Sequence, residues 1–194
     1  RCRTILTSTG FVQCTRCLPV RLKRRAKVRP LDIMLTPEKH ILIISGPNAG
    51  GKSVCLKTTG LLQYMLQTGL SIPVDARSTC GVFNDIMIDI GDEQSMENDL
   101  STYSSHLLNM KSMIRQASPN TLILIDEFGT GTEPKIGGAI AESVLGQFCR
   151  RGACAVITTH YQNLKHFADS HDGIVNGAML YYRHEMRPLF QLAI

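Results

Sequence analysis

The chain has 194 residues, 43% of them hydrophobic and 19% charged, which is the composition of a globular protein long enough to bury a core. Its formal net charge of +5 is uneven, because residues 1–30 carry nine Arg or Lys and no acidic residue, while the rest carries twelve basic and sixteen acidic ones. No apolar run reaches the roughly 20 residues of a membrane-spanning helix. Seven irregularly spaced cysteines argue against a secreted disulfide framework. We therefore expect a cytoplasmic protein without a membrane partner.

The basic leader, residues 1–30, shows no clear periodicity. We interpret it as the end of an upstream region or as an unstructured flank, and contact with nucleic acid is the alternative. Cys14 and Cys17 form a lone CxxC pair. A structural zinc site needs a second pair of ligands at suitable spacing, and the next candidates, His40 and Cys55, are too distant for a compact finger. We therefore expect no zinc site here.

Residues 31–194 predict an α/β domain with a mainly parallel sheet, covered by helices and extended by antiparallel β segments. Short continuous apolar runs are typical of parallel strands buried on both faces. Such runs predict strands at 41–44, 121–125 and 153–158. Weaker extended segments lie near 31–39, with a turn at 36–39, and near 81–90, 174–182 and 188–193. Helical spacing predicts one helix through the apolar residues from Val54 to Leu66 and others at 104–116 and 135–150.

A glycine-rich motif follows the first buried strand. Residues 46–53 read GPNAGGKS and match G-x-x-x-x-G-K-[ST] in full, between a predicted strand and a predicted helix. Glycines let the backbone N–H groups curl toward phosphate oxygens, Lys52 can reach the β- and γ-phosphates of a nucleotide, and Ser53 can place its hydroxyl on Mg²⁺. The alternative is a turn that binds nothing. The predicted nucleotide-binding residues are Gly46, Pro47, Asn48, Ala49, Gly50, Gly51, Lys52, Ser53 and Val54.

Two further buried strands end in polar residues. Asp126 follows the strand at 121–125 and is placed to hold Mg²⁺, and Glu127 can accept a proton from the water that attacks the γ-phosphate. His160 follows the strand at 153–158 and can contact the γ-phosphate or position the water. The alternatives are a solvated acidic turn and a histidine that caps a strand. Since open α/β sheets bind ligands at this edge, we predict Glu127, His160 and Lys52 as catalytic residues and Ser53 and Asp126 as metal ligands.

Taken together, GPNAGGKS, LILIDEFGTGTEP and ITTHY resemble the ATPase domain of the MutS family, within the ABC-type ATPases. The stretch from Asp89 to His106, DIGDEQSMENDLSTYSSH, is similar to the second type of MutS protein rather than to the mismatch sensors. The resemblance covers roughly residues 30–194. It implies a P-loop NTPase fold of the ABC type, ATP and Mg²⁺ as cofactors, and a homodimer paired head to tail across the nucleotides.

The resemblance also assigns roles across that interface. Ser101, in the segment 100–103, would contact the γ-phosphate bound by the partner, with capping of the following helix as its alternative role. Gln94 lies where a metal- and water-sensing loop would be, and residues 129–132 correspond to a loop that touches the partner subunit. Asn48 would lie near the γ-phosphate.

The function implied is ATP hydrolysis by a dimeric motor domain. It would drive a clamp on branched or mismatched DNA, in DNA repair or suppression of recombination, or a clamp on ribosomes with contact to rRNA. The alternative is a nucleotide-gated binding module with little or no hydrolysis. Because the dimer-supporting helices and the nuclease domain of this branch are not found in the sequence, we expect a truncated fragment without endonuclease activity.

Overall fold

A computed structural model describes residues 5–7, 13–14, 31–91, 99–182 and 187–194. In this part of the chain there are ten strands and four α-helices. In chain order they are β1 (Ile5–Thr7), β2 (Gln13–Cys14), β3 (Ile33–Met34), β4 (Lys39–Ser45), α1 (Lys52–Gln67), β5 (Thr79–Gly81), β6 (Asp85–Asp89), α2 (Asp99–Gln116), β7 (Thr121–Ile125), α3 (Pro134–Arg150), β8 (Cys154–Thr158), α4 (Gln162–Asp169), β9 (Gly173–Tyr182) and β10 (Arg187–Ala193).

The larger sheet has six strands in the order β10-β9-β4-β8-β7-β6. Within this sheet, each pair of neighbouring strands from β9 to β6 is parallel. The edge strand β10 is antiparallel to β9. A smaller sheet has the order β1-β5-β2-β3 and takes two short strands from the basic leader. The prediction of a mixed α/β fold with a mainly parallel sheet and an antiparallel addition is confirmed.

The core lies on both faces of the larger sheet, which explains the continuous apolar runs. Along β4, Ile41 and Ile43 pack into a cluster with apolar residues of α2, α3 and α4. The alternate residues, Leu42 and Ile44, pack into a second cluster with residues of α1. All four side chains are fully buried. Successive side chains of a strand point to opposite faces, so a strand covered on both sides needs apolar residues at every position.

Helix α1 packs with a different face from the one its apolar residues suggest. Its buried residues include Leu56, Gly60 and Gln63, whereas Val54 and Leu61 are 66% and 60% exposed. A Cβ on Gly60 would lie 2.6 Å from a methyl group of Leu124, so the helix approaches the sheet closely at this glycine. Gln63 is buried because its Nε2 donates a hydrogen bond to a main-chain carbonyl at the end of β5.

Three other elements differ from the sequence-based prediction. Helix α2 begins at Asp99 rather than at residue 104, since an acidic residue at the first position suits the helix dipole. The extended segment near 81–90 is two strands in two sheets, because the strand is interrupted at residues 82–84, where Phe83 is buried in the core. Helix α4 was not predicted: Leu164 and Ala168, four residues apart, are its buried residues.

None of the helices in the described part of the chain is long and apolar enough to cross a membrane.

Candidate functional site

The glycine-rich loop joins β4 to α1. Gly46 and Gly51 have φ angles of +129° and +88°, a region that L-residues rarely adopt. Between them, residues Asn48–Gly50 form one 3₁₀ turn, in which the Gly50 N–H donates a 2.9 Å hydrogen bond to the Pro47 carbonyl oxygen. The chain therefore curls tightly and enters α1 at Lys52. N–H groups at a helix start point out along the axis, here toward the inside of the curl.

Lys52 is folded back over this loop. The residue is only 2% exposed, and its Nζ donates a 2.8 Å hydrogen bond to the carbonyl oxygen of Gly46. Burial lowers the pKa of Lys52 below its ordinary value, and this effect outweighs the opposing attraction of Glu127 and Asp126, which raises the pKa. The structure therefore brings the lysine and both carboxylates together. A lysine ammonium beside this loop can attract an anion.

Asp126 and Glu127 are fixed by one threonine at the end of the neighbouring strand. The Thr158 hydroxyl donates a 2.5 Å hydrogen bond to Asp126 Oδ1 and accepts a 2.8 Å bond from the Glu127 N–H. Thr158 is fully buried, and its main-chain carbonyl accepts a hydrogen bond from the Phe128 N–H. Thr158 was not among the site residues predicted from the sequence. A threonine that ends an otherwise apolar run, directly beside the strand with the carboxylates, is the signal that was available.

Glu127 has an unusual backbone conformation. Its φ of +50° makes it the one residue other than glycine with positive φ among those the structure describes. Its carbonyl oxygen accepts bonds from the Thr130 hydroxyl, at 2.8 Å, and from the Thr130 N–H, at 3.1 Å. The left-handed conformation costs an L-residue about 1 kcal/mol or more. Together with the bond from its own N–H to Thr158, these contacts hold the turn that follows β7 in one conformation.

The loop 129–132 is held by Tyr161. The Tyr161 hydroxyl donates a 2.9 Å hydrogen bond to the Gly129 carbonyl oxygen. The Thr159 hydroxyl accepts a bond from the Tyr161 N–H and donates one to the Phe128 carbonyl oxygen. Burial and the neighbouring Tyr103 raise the pKa of Tyr161. The segment that carries His160 is thus bonded to the loop that follows the carboxylates, and neither Thr159 nor Tyr161 had been singled out from the sequence.

For the other predicted site residues, the structure gives a place in an element and, for some, an exposure. Ser53 is half-buried in the first turn of α1, and Val54 is exposed beside it. His160 is exposed, two residues beyond Thr158. Ser101 is the third residue of α2, so it lies inside the helix and not before it. Gln94 lies outside the described residues, as do Cys17 and the side chains of Asn48 and Ser101.

These elements define an α/β domain in which a glycine-rich loop, a buried lysine and two carboxylates meet at the C-terminal edge of a parallel sheet. Residues 42–194 match the family model described as MutS domain V, which is more than half of the chain. The chain belongs to the MutS family.

The chain is similar to proteins named Endonuclease MutS2. It is 44% identical to that of Caldanaerobacter subterraneus subsp. tengcongensis over 87% of this chain, and 43% identical to that of Pelotomaculum thermopropionicum over 92%. With the protein of Lachnospira eligens it shares 40% identity over 99% of the chain. These matches cover 21%, 23% and 24% of the relatives, so the chain spans about a fifth to a quarter of their length. They support the assignment to the second MutS type.

Proposed function

We propose that this chain is the ATP-hydrolysing domain of a MutS-family protein, with the fold of an ABC-type P-loop NTPase and with ATP and Mg²⁺ as cofactors. The observation that carries the proposal is Lys52, buried beneath the loop that starts at Gly46 and facing Asp126 and Glu127. No acidic side chain occurs between residues 46 and 53, so nothing in the loop itself competes with an anionic ligand. This donor set fits a nucleotide phosphate with a divalent cation.

Each residue has a role that follows from its chemistry. Lys52 and the backbone N–H groups of the loop bind the β- and γ-phosphates. Ser53 and Asp126 hold Mg²⁺, which neutralises charge that develops on the phosphates. Asp126 is only 8% exposed and is oriented by Thr158, so it presents one face of its carboxylate. Positioning and charge stabilisation of this kind supply most of the catalysis of phosphoryl transfer.

Glu127 accepts the proton of the attacking water, and His160 contacts the γ-phosphate. The alternative is a nucleotide-gated binding module in which hydrolysis is absent or very slow. The strained backbone of Glu127 favours hydrolysis, because such conformations persist where the surrounding contacts over-determine them and they cluster at functional sites.

The active unit in this proposal is a head-to-tail homodimer. Ser101, in the first turn of α2, contacts the γ-phosphate bound by the partner, and Gln94 senses the metal and the water. The intact protein, in the cytoplasm, uses this cycle to drive a clamp on branched or mismatched DNA or on ribosomes, through regions outside this chain. The relatives' name states an endonuclease activity, which the proposal does not extend to these residues.

The test is Mg–ATP binding by a matched pair of lysine variants on α1. Lys52→Met keeps the aliphatic stem and removes the buried ammonium, and Lys57→Met removes an exposed ammonium from the same helix. We expect Lys52→Met to weaken binding about 100-fold or more, a loss of about 3 kcal/mol, and Lys57→Met to bind as the wild type does. Fluorescent-nucleotide titration measures both. Equal affinities for the two variants would refute the assignment of the phosphate loop.

A further inference from the structure

The carboxylate of Asp89 joins the edge of the larger sheet to α2. Asp89 is the last residue of β6, and its side chain is 6% exposed. Its Oδ2 lies 2.8 Å from His106 Nδ1, and its Oδ1 accepts a 3.1 Å hydrogen bond from Asn109 Nδ2. In the tautomer with a proton on Nδ1, His106 donates this bond to the carboxylate. His106 and Asn109 are three residues apart and share one face of the helix.

The main chain of Asp89 makes a second connection. Its carbonyl oxygen accepts a 3.0 Å hydrogen bond from the N–H of Asp126, the residue proposed to hold Mg²⁺. The His106 ring is also packed closely, since a Cβ on Gly91 would lie 3.1 Å from two of its atoms. Asp89 therefore contacts the proposed metal ligand Asp126 through its main chain and α2 through its side chain. These contacts restrict movement of α2 relative to the end of β6.

The position of α2 matters because of what its first turn carries. Ser101 lies five residues before His106 in a continuous helix, which is about 7.5 Å along the axis. A helix transmits a displacement of one turn to the next with little loss. A bond joins the first and last residues of the stretch 89–106, the segment whose sequence resembles the second MutS type.

We infer that Asp89 and His106 are positioning residues that set α2, and with it Ser101, relative to the Mg–ATP site of the same chain. The inference rests on the proposed function. In a dimer that pairs head to tail, such a connection lets the nucleotide state at Asp126 of one copy adjust the helix that the same copy presents to its partner's nucleotide.

The test separates positioning from stability with two variants of one residue in the full chain. His106→Leu removes the bond to Asp89. His106→Asn restores a donor close to the place of Nδ1. We expect His106→Leu to lower the ATP turnover rate at saturating ATP about tenfold and to leave the dissociation constant of Mg–ATP within about twofold of wild type. We expect His106→Asn to recover turnover to within about threefold.

Gln116→Leu is the matched control, because it removes the Gln116–Ser112 bond at the other end of the same helix and is expected to change neither quantity. Unchanged turnover in His106→Leu overturns the inference, as does a loss of ATP affinity in step with turnover, or an Asn variant no better than the Leu variant.

If His106→Leu does not fold, Asn109→Ala decides, because its side chain is exposed and it removes the second bond to the same carboxylate. Wild-type turnover in that variant overturns the inference. If the wild-type chain itself fails to bind Mg–ATP, the proposed function fails, and that outcome is distinct from the others.

Discussion

The centre and the edge of the larger sheet are built by different interactions. Every residue of β7 and β8 is buried, and Thr158, the last residue of β8, bonds to the two acidic residues that follow β7. At the edge, β6 leaves Ile88 54% exposed beside the exposed Leu61 and Tyr64 of α1. There, Asp89 makes polar contacts with α2, beside the apolar contacts of Met110 and Met113. The difference teaches that the strands beneath the proposed ATP site are apolar on both faces, whereas the edge strand adds directed polar bonds to the apolar packing of α2.

The largest expected effect compares two isoleucines of neighbouring strands. Ile123, in β7, is fully buried, and Ile88, in β6, is 54% exposed. Ile123→Ala should lower the free energy of unfolding by about 2–5 kcal/mol, through lost burial and a cavity, and Ile88→Ala by less than about 1 kcal/mol. Urea denaturation with an unchanged slope measures both. Similar losses for the two variants would break the distinction between centre and edge.

The second prediction concerns Cys154, the first residue of β8. Burial raises the pKa of its thiol from 9.0 to about 11. Because the unfolded chain loses this proton first, the stabilisation is fully present below pH 9 and is lost as the pH rises from 9 to about 11. With about 1.4 kcal/mol per pKa unit, the difference in unfolding free energy is about 2–3 kcal/mol over this window.

The measurement is the unfolding free energy of wild type and Cys154→Ala at pH 8.5 and pH 11. The variant should lack this part of the alkaline loss. Cys149→Ala is the control on the helix that precedes β8, where the thiol is only partly buried and burial raises its pKa less. An identical pH dependence in the wild type and the Cys154→Ala variant would contradict the assignment.

The third prediction tests the threonine that connects β8 to the carboxylates. Thr158→Val keeps the shape of the side chain but leaves Asp126 Oδ1 and the Glu127 N–H without their bonds to the hydroxyl. We expect an unfolding free energy lower by about 1–3 kcal/mol. Thr68→Val, on the exposed end of α1, should change it by less than about 0.5 kcal/mol. Thermal and urea unfolding distinguish the two, and a Thr158→Val protein as stable as the wild type would show that the hydroxyl does not anchor the carboxylates.

The smallest expected effect uses two tyrosine hydroxyls. Tyr161→Phe removes the bond to the Gly129 carbonyl oxygen and should cost about 1 kcal/mol of unfolding free energy. The hydroxyl of Tyr103 is buried and has no hydrogen-bond partner among the described residues, so Tyr103→Phe should be neutral or slightly stabilising. The reverse order of the two effects would mean that Tyr103, and not Tyr161, holds the loop 129–132.

The sequence predicted the parts of the fold that packing dictates. The runs at 41–44, 121–125 and 153–158 became central strands because a strand covered on both faces must be apolar throughout. Helix α4 escaped because it buries only Leu164 and Ala168 in a polar stretch. The division between β5 and β6 escaped because it depends on where Phe83 packs, a tertiary contact that local pattern does not contain.

In the candidate site, the residues of the motifs could be predicted from the sequence. The residues that hold them in place by hydrogen bonds could not. Lys52, Asp126 and Glu127 were predicted as a group from their motifs, and the structure brings them together. Thr158 and Asp89 act through bonds to residues 32 and 17 positions away, at Asp126 and His106, and no spacing rule predicts such pairs. The roles of Gln94 and Ser101 stay predictions.

The most direct test of the account is ATP turnover per chain as a function of protein concentration, for wild type and Glu127→Gln. We expect wild-type turnover to rise with concentration, because pairing of two chains completes each site. We expect Glu127→Gln to bind Mg–ATP with wild-type affinity and not to turn it over. Turnover per chain that is independent of concentration would contradict the dimeric site. A Glu127→Gln protein with the wild-type rate would contradict the role of Glu127, and no turnover by the wild type at any concentration would favour the nucleotide-gated module.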